Sequence, residues 1–393
     1  MAEEYGRVLV NQRTANRLTR RAFLTGSTVA AVSGGFLLSA CGNGSTGATP
    51  SAGGASSSGA IEGSLNMYNW AEYDDPKLYK QFQSQFGPTV KVDVYASNEE
   101  MIAKLVAANG TSGFDTVCPT GPNVPQMIQN GLLEELDLSR IPNFSSLDTV
   151  YTNQSFDPGN KYTICKDWGS TGWIYDKRVV TTPIKTWSDF FKAAEGQASR
   201  NVSVLDAAVD FTGMYFWANG IDWNTTNTAD LDAAQSYLVD TLAPHIKNFD
   251  SYPGIQLTKG NYALSQVWNG DARQGLLSVS NPEDYVWGLG YPKTELWMDN
   301  WAIVKNAPDI NAAYAWINFI MDPTNSFTDV NFHGYNTGIK GLEAKAKAAK
   351  MQYFDMIFFP PSLVSSTMVN GIVNEAQQQQ VDILEKAKAK ASA

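Results

Sequence analysis

The chain has 393 residues, with 29 Lys and Arg against 39 Asp and Glu. Residues 1–41 hold five of the bases (Arg7, Arg13, Arg17, Arg20 and Arg21) and two acids, Glu3 and Glu4, so the remainder carries a net charge of −13. That acidity excludes phosphate backbones and anionic lipid as partners, so no nucleic-acid role is expected. A chain 43% hydrophobic and 12% aromatic can bury a sizeable core, and its length allows about two lobes. Two histidines (His245, His333) and three cysteines (Cys41, Cys118, Cys165) leave little material for a metal site or for His-based catalysis. No metal or cofactor is expected.

Residues 1–41 read as an address rather than as part of the fold. A basic stretch ends in Thr19-Arg20-Arg21-Ala22-Phe23-Leu24, the twin-arginine export pattern, and an apolar run from Ala22 to Ala40 follows. The run closes on Leu38-Ser39-Ala40-Cys41-Gly42, which resembles a lipobox. A membrane span is the competing reading, but Gly26, Ser27, Ser33, Gly34 and Gly35 dilute the run. Lipidation at Cys41 and a flexible Gly/Ser linker over 42–62 predict an exported body held by acyl chains at the outer face of the cytoplasmic membrane, or in the periplasm. In that oxidising compartment Cys118 and Cys165 are candidates for a disulfide.

From Ser64 onward strands and helices alternate. Leu65–Trp70 predicts a strand, and Asp75-Pro76 opens a helix whose apolar side is Leu78, Phe82 and Phe86. Val90–Tyr95 predicts a second strand. Ser97-Asn98-Glu99-Glu100 forms a capping box for a helix through Ala107. Phe114–Cys118 is a third strand, stopped by Pro119, and Val124–Gly131 another helix. A second set follows, with strands at Val202–Leu205, Gln266–Trp268 and Tyr285–Trp287. Its helices are Ala208–Ala218, Leu231–Leu242 and Pro308–Met321. This order predicts an α/β fold of two lobes, each a parallel-dominated sheet flanked by helices, with ligand held between lobes at the strand ends.

At Tyr68-Asn69-Trp70-Ala71-Glu72-Tyr73 the chain resembles the polyamine (spermidine/putrescine) branch of the periplasmic solute-binding proteins. The likeness continues in order through Ser97–Leu105, Phe114–Thr120, Asp157–Tyr162, Trp168–Gly172, Val267–Gly270, Leu296–Asp299 and Gly334–Thr337. It implies a two-lobed clamp of the periplasmic-binding-protein type II, with crossing strands at the hinge. Lobe one would be 63–168 and 299–341, lobe two 169–298 and 342–393. It also implies capture of a cationic solute for an ABC permease by a protein that works as a monomer and is not an enzyme.

A polyamine presents ammonium groups separated by methylenes, so its site needs carboxylates and aromatic faces. By position in the family motif the candidates are Trp70, Tyr73, Trp268, Trp297 and Tyr335 for the rings, with Asp299 to grip an ammonium and Thr120 as a further acceptor. Trp297 and Asp299 alternate on a strand and so share a face. Plain core packing is the competing reading for the tryptophans. The chain departs from the family pattern in three places. Gly121-Pro122-Asn123 lacks the usual aromatic at Pro122. In Leu205–Asp210 the family's Asp falls on Ala207 and its Arg on Val209, while Asp210 stands for its Glu. The late family Gln has no clear counterpart in Gly371–Gln380. Asp206 and Asn123 are second-rank candidates to make up the difference. The same clamp could instead hold a neutral solute, such as an oligosaccharide or a modified amino acid. A Cys-dependent enzyme built on Cys118 is the third reading, though neither histidine is placed to activate the thiol.

Overall fold

A computed structural model describes residues 61–108 and 112–392. The export pattern, Cys41 and nearly all of the Gly/Ser stretch lie outside the described residues. No helix among the described residues is long and apolar enough to cross a membrane.

Among the described residues eleven strands fall into two sheets. The first contains β1 (Ser64–Trp70), β2 (Thr89–Tyr95), β3 (Thr116–Val117) and β4 (Thr163–Gly169). The second contains β5 (Thr171–Asp176), β6 (Val202–Leu205), β7 (Ile246–Asp250), β8 (Leu264–Trp268) and β9 (Tyr285–Leu289). β10 (Thr294–Ile303) and β11 (Met368–Asn370) complete the first sheet, whose order is β11-β10-β3-β1-β2 with β4 on β10. The second runs β7-β6-β8-β5-β9.

Local sequence explains the elements. Asp75 caps the helix Pro76–Phe86 by accepting from Lys77 N, and Leu78 and Phe82 turn its apolar side inward. The Ser97 hydroxyl accepts from Glu100 N at 3.1 Å, while Glu100 reaches back to Ala96 N at 3.0 Å. The helix Ile310–Ile320 buries Trp316, Ile317 and Phe319 against Leu65, Phe82 and Trp301 in the first core. The second core is built on Trp173, Trp187, Phe211 and Trp217.

Pairing is less parallel than the alternation predicts. β1 runs parallel to β2 and β3, but β10 is antiparallel to β3 and β4. In the second sheet β6 is parallel to β7 and β8, whereas β5 is antiparallel to β8 and β9. The antiparallel members are the crossing strands. The chain leaves the first sheet at Gly169, enters the second at Thr171 through Ser170 alone, and returns along β10. A strand that arrives from the other sheet is not bound by the right-handed crossover that makes βαβ neighbours parallel.

The C-terminal segment divides between the two cores. Leu342 and Ala346 of the helix Leu342–Ala348, with Ile357 and Phe358, pack into the first core. The last helix, Gln377–Ala391, adds Ile383, Leu384 and Ala387 to the second core, with Ala376 just before it and Val369 of β11 packed against it. The expectation that 342–393 as a whole packs on the second lobe is corrected accordingly. Hydrophobic content placed these residues in a core; which core depends on where the chain recrosses.

Cys118 and Cys165 are both buried free thiols, which corrects the expected disulfide. Cys118 follows β3, which flanks one side of β10 through Val117 and Ala302. Cys165 flanks the other side, opposite Asn300. Two strand spacings put their backbones roughly 10 Å apart, beyond the span of about 7 Å at most that a disulfide bridges.

Candidate ligand-binding site

Five aromatic rings converge where the two sheets meet. Tyr73 and Tyr335 are buried in one cluster with Cys118, and Trp70, Trp268 and Trp297 pack against it half-buried. Trp70 ends β1, with Tyr73 in the loop beyond; Trp268 ends β8; Trp297 lies in β10 at the crossing; and Tyr335 follows the helix Pro323–His333. Rings at strand ends are held by backbone: Trp70 Nε1 donates to Cys118 O at 3.1 Å, and the Tyr95 hydroxyl to the same carbonyl at 2.6 Å. Trp297 meets Tyr335 edge-on with centroids 4.8 Å apart, and Tyr335 meets Tyr73 at 6.0 Å.

Two glycines of the motifs make room for this. A Cβ on Gly169 would stand 2.4 Å from the Trp297 ring, and one on Gly270 would stand 2.5 Å from both the Tyr335 ring and the His333 carbonyl. Because the His333 carbonyl is backbone, relaxation at Gly270 is limited. Gly270→Ala is expected to destabilise the protein by about 1–3 kcal/mol through overpacking. Denaturant unfolding measures this, and an unchanged midpoint would show that the ring moves aside freely.

Carboxyl groups surround the rings. The Tyr73 hydroxyl lies 2.5 Å from Asp167 Oδ1 and 2.7 Å from Asp299 Oδ2. It has one proton to donate, so one of the two contacts must be closed by a proton on a carboxyl. Burial, and then the charge of Asp167, push Asp299 up to about 7. Thr120 bridges directly across to Asp299 in the backbone, and its hydroxyl accepts from Asn98 Nδ2 at 3.0 Å. Asp210, in the first turn of the helix Ala208–Asn219, accepts from Trp268 Nε1 at 3.1 Å and lies 3.1 Å from the Thr171 hydroxyl. The same hydroxyl touches Glu295 of β10. The Tyr335 hydroxyl donates to Asp271 Oδ2 at 2.5 Å, and burial raises that carboxyl to about 6.

Behind Tyr73 lies a closed ionic network. Lys166 Nζ stands 3.2 Å from Asp74, 3.1 Å from Asp167 and 3.6 Å from Asp329, donates to Tyr73 O at 2.9 Å, and sits 3.9 Å above the Tyr73 ring. His333 packs beside it, accepting Tyr335 N–H at Nδ1; burial, then the Lys166 charge, push its pKa down to about 3, so it is neutral. His245 bonds Ser199 on the surface. Neither histidine forms a hydrogen bond with Cys118, whose thiol burial holds well above its usual pKa. Cys118 is therefore held as the thiol rather than as an activated thiolate.

The structure gathers Trp70, Tyr73, Thr120, Asp210, Trp268, Trp297, Asp299 and Tyr335 around one place. It does not bring in Asp206. Asp206 pairs with Lys388 of the last helix, because that helix packs on Ala208–Asn219 and offers a cation on the outer side. Asn123 is buried in the turn after Thr120 and holds it through its N–H to Thr120 O at 2.9 Å. Sequence reasoning missed Asp271, Glu295 and Lys166. Glu295 was legible in principle, since it alternates with Trp297 and Asp299; Lys166 was not, since two of its three carboxylates, Asp74 and Asp329, come from distant segments.

Residues 77–353 match the family model described as bacterial extracellular solute-binding protein. The chain is 30% identical over 300 residues to the putrescine/agmatine-binding protein of Pseudomonas aeruginosa, covering 72% of this chain and 80% of that one. It is 33% identical over 266 residues to the spermidine/putrescine-binding periplasmic protein of Escherichia coli, covering 66% and 73%. Among solved structures, the spermidine/putrescine ABC transporter substrate-binding protein PotD of Streptococcus pneumoniae superposes with a TM-score of 0.68 at 26% identity, covering 84% of this chain and all of that one. With a two-sheet fold, a ring-lined junction and a family match over most of its length, the chain belongs to the bacterial extracellular solute-binding proteins.

Proposed function

We propose that this protein captures a polyamine or related cationic amine between its lobes and delivers it to an ABC permease, acting as a monomer without enzymatic activity. One observation carries the reading. Asp299, Asp210 and Glu295 are buried, and Asp271 is half-buried, around five aromatic rings, and none of the four forms an ion pair with a basic side chain among the described residues. Buried carboxyls without cations are costly. An ammonium among them supplies the missing charge, and the rings accept both its methylenes and its cation. The names of the relatives support the same solute class. The twin-arginine pattern and Cys41 support export and a lipid anchor on the outer face of the membrane.

Titration calorimetry of the purified protein with putrescine, spermidine, agmatine and a set of oligosaccharides tests this. The amines are expected to bind and the sugars not to, with amine affinity falling as salt rises. Sugar binding with no amine binding would replace the cationic solute by a neutral one.

A further inference from the structure

The family pattern places a carboxylate at the position occupied here by Ala207, and the fold supplies one from elsewhere. Glu295 enters from β10, is 3% exposed, and shares the Thr171 hydroxyl with Asp210, which is 5% exposed. The one Thr171 hydroxyl thus faces an oxygen of each carboxyl. Thr171 has one proton and Trp268 Nε1 serves only Asp210, so the second contact of that hydroxyl requires a proton on one of the two acids. Burial, and then the Asp210 charge, hold Glu295 well above the carboxylate range. The other acid facing Glu295 is Asp299, farther along the same strand. Lys293, two residues before Glu295, donates to Ser366 O, and Lys388, on the helix packed against Ala208–Asn219, pairs with Asp206. Two further polar atoms on β10, Trp297 Nε1 and Asp299 Oδ1, are shut off from solvent without a hydrogen-bond partner.

Resting on the amine reading above, we infer that Asp210 and Glu295 form one subsite for the far ammonium of the solute, and that the arriving cation replaces the proton the pair shares. The empty pair holds one proton and one negative charge. With the ammonium bound, both groups are carboxylates and one proton passes to solvent. Spacing fits a short diamine. Glu295 and Asp299 are four residues apart on one strand face, roughly 13 Å. Hydrogen bonds take about 3 Å at each end, which leaves the reach of a four- or five-carbon chain. The acid has moved from the start of a helix to a crossing strand, so the subsite is completed by the chain segment that joins the lobes.

The test is calorimetry of the full chain with putrescine at pH 8, where Asp271 and Asp299 are mostly ionised, in phosphate and in Tris. Wild type is expected to show different enthalpies in the two buffers, equivalent to nearly one proton released. Glu295→Gln should abolish that difference and weaken putrescine at least tenfold, with the circular-dichroism melt confirming the fold. If Glu295→Gln does not fold, Thr171→Val serves, since it leaves both carboxyls in place and should retain the proton release. Wild-type release with unchanged affinity and unchanged release in Glu295→Gln would overturn the assignment of Glu295 alone. A wild type that binds no diamine would overturn the amine reading and this inference with it.

Discussion

Asp299→Asn is expected to lower amine affinity by about 2–5 kcal/mol, from ~30-fold to ~4,000-fold, because it leaves a buried ammonium facing a neutral amide. The same change is expected to make the ligand-free protein more stable at neutral pH. The sign follows from the carboxyl's position. Its folded pKa of about 7 lies above the ordinary value of 3.8, so the folded state binds the extra proton. Stability from that proton is fully present at low pH and is lost as pH rises from about 4 through about 7. The ligand-free wild type should therefore melt at lower temperature at pH 8 than at pH 5, while putrescine binds more tightly at pH 8. Asn removes that group's share of both trends. Melting and calorimetry across the pH range read them separately. A variant that binds putrescine normally would remove Asp299 from the site, whatever its melting temperature.

Lys166→Met carries the second large effect, this time on the fold. Among the described residues, Lys166 is the one basic group within ion-pair distance of Asp74, Asp167 and Asp329 whose charge survives at neutral pH, since His333 is neutral. Removing one partner from a buried network costs about 3–5 kcal/mol, to be read by denaturant unfolding. Binding should respond too. The Lys166 charge lowers the Asp299 pKa, so without it the rise of amine affinity with pH should shift above pH 7. A variant as stable as wild type would mean that the three aspartates are already protonated around it.

Much of the site was readable because it sits where chain order and strand ends coincide. Trp70, Trp268 and Trp297 could be proposed from motif position, and the structure packs them against Tyr73 and Tyr335. Gly169 and Gly270 stood in the same motifs, but the reason for them, two rings lying on bare backbone, exists only once β10 and the segment after His333 are placed. Asp206 shows the converse. Four residues before Asp210, it looks like a spare carboxylate, yet the end of β6 turns it outward to Lys388. Asp206 leaves the strand end while Asp210 sits in the first turn of the next helix, and the direction of each is set by what packs there.

The amino-acid sequence by itself determined the α/β order, the helix caps at Asp75 and Ser97, the acidity of the body and the family. These depend on local periodicity, on short-range hydrogen bonds and on composition, none of which needs the chain to be folded. Tertiary structure alone decided that Cys118 and Cys165 stay apart on either side of β10. It also decided that Lys166 balances aspartates from three segments, and that Glu295 meets Asp210 where the lobes join. Burial and charge pairing are properties of neighbours in space, and those neighbours lie as many as 163 residues apart along the chain, as Lys166 and Asp329 do.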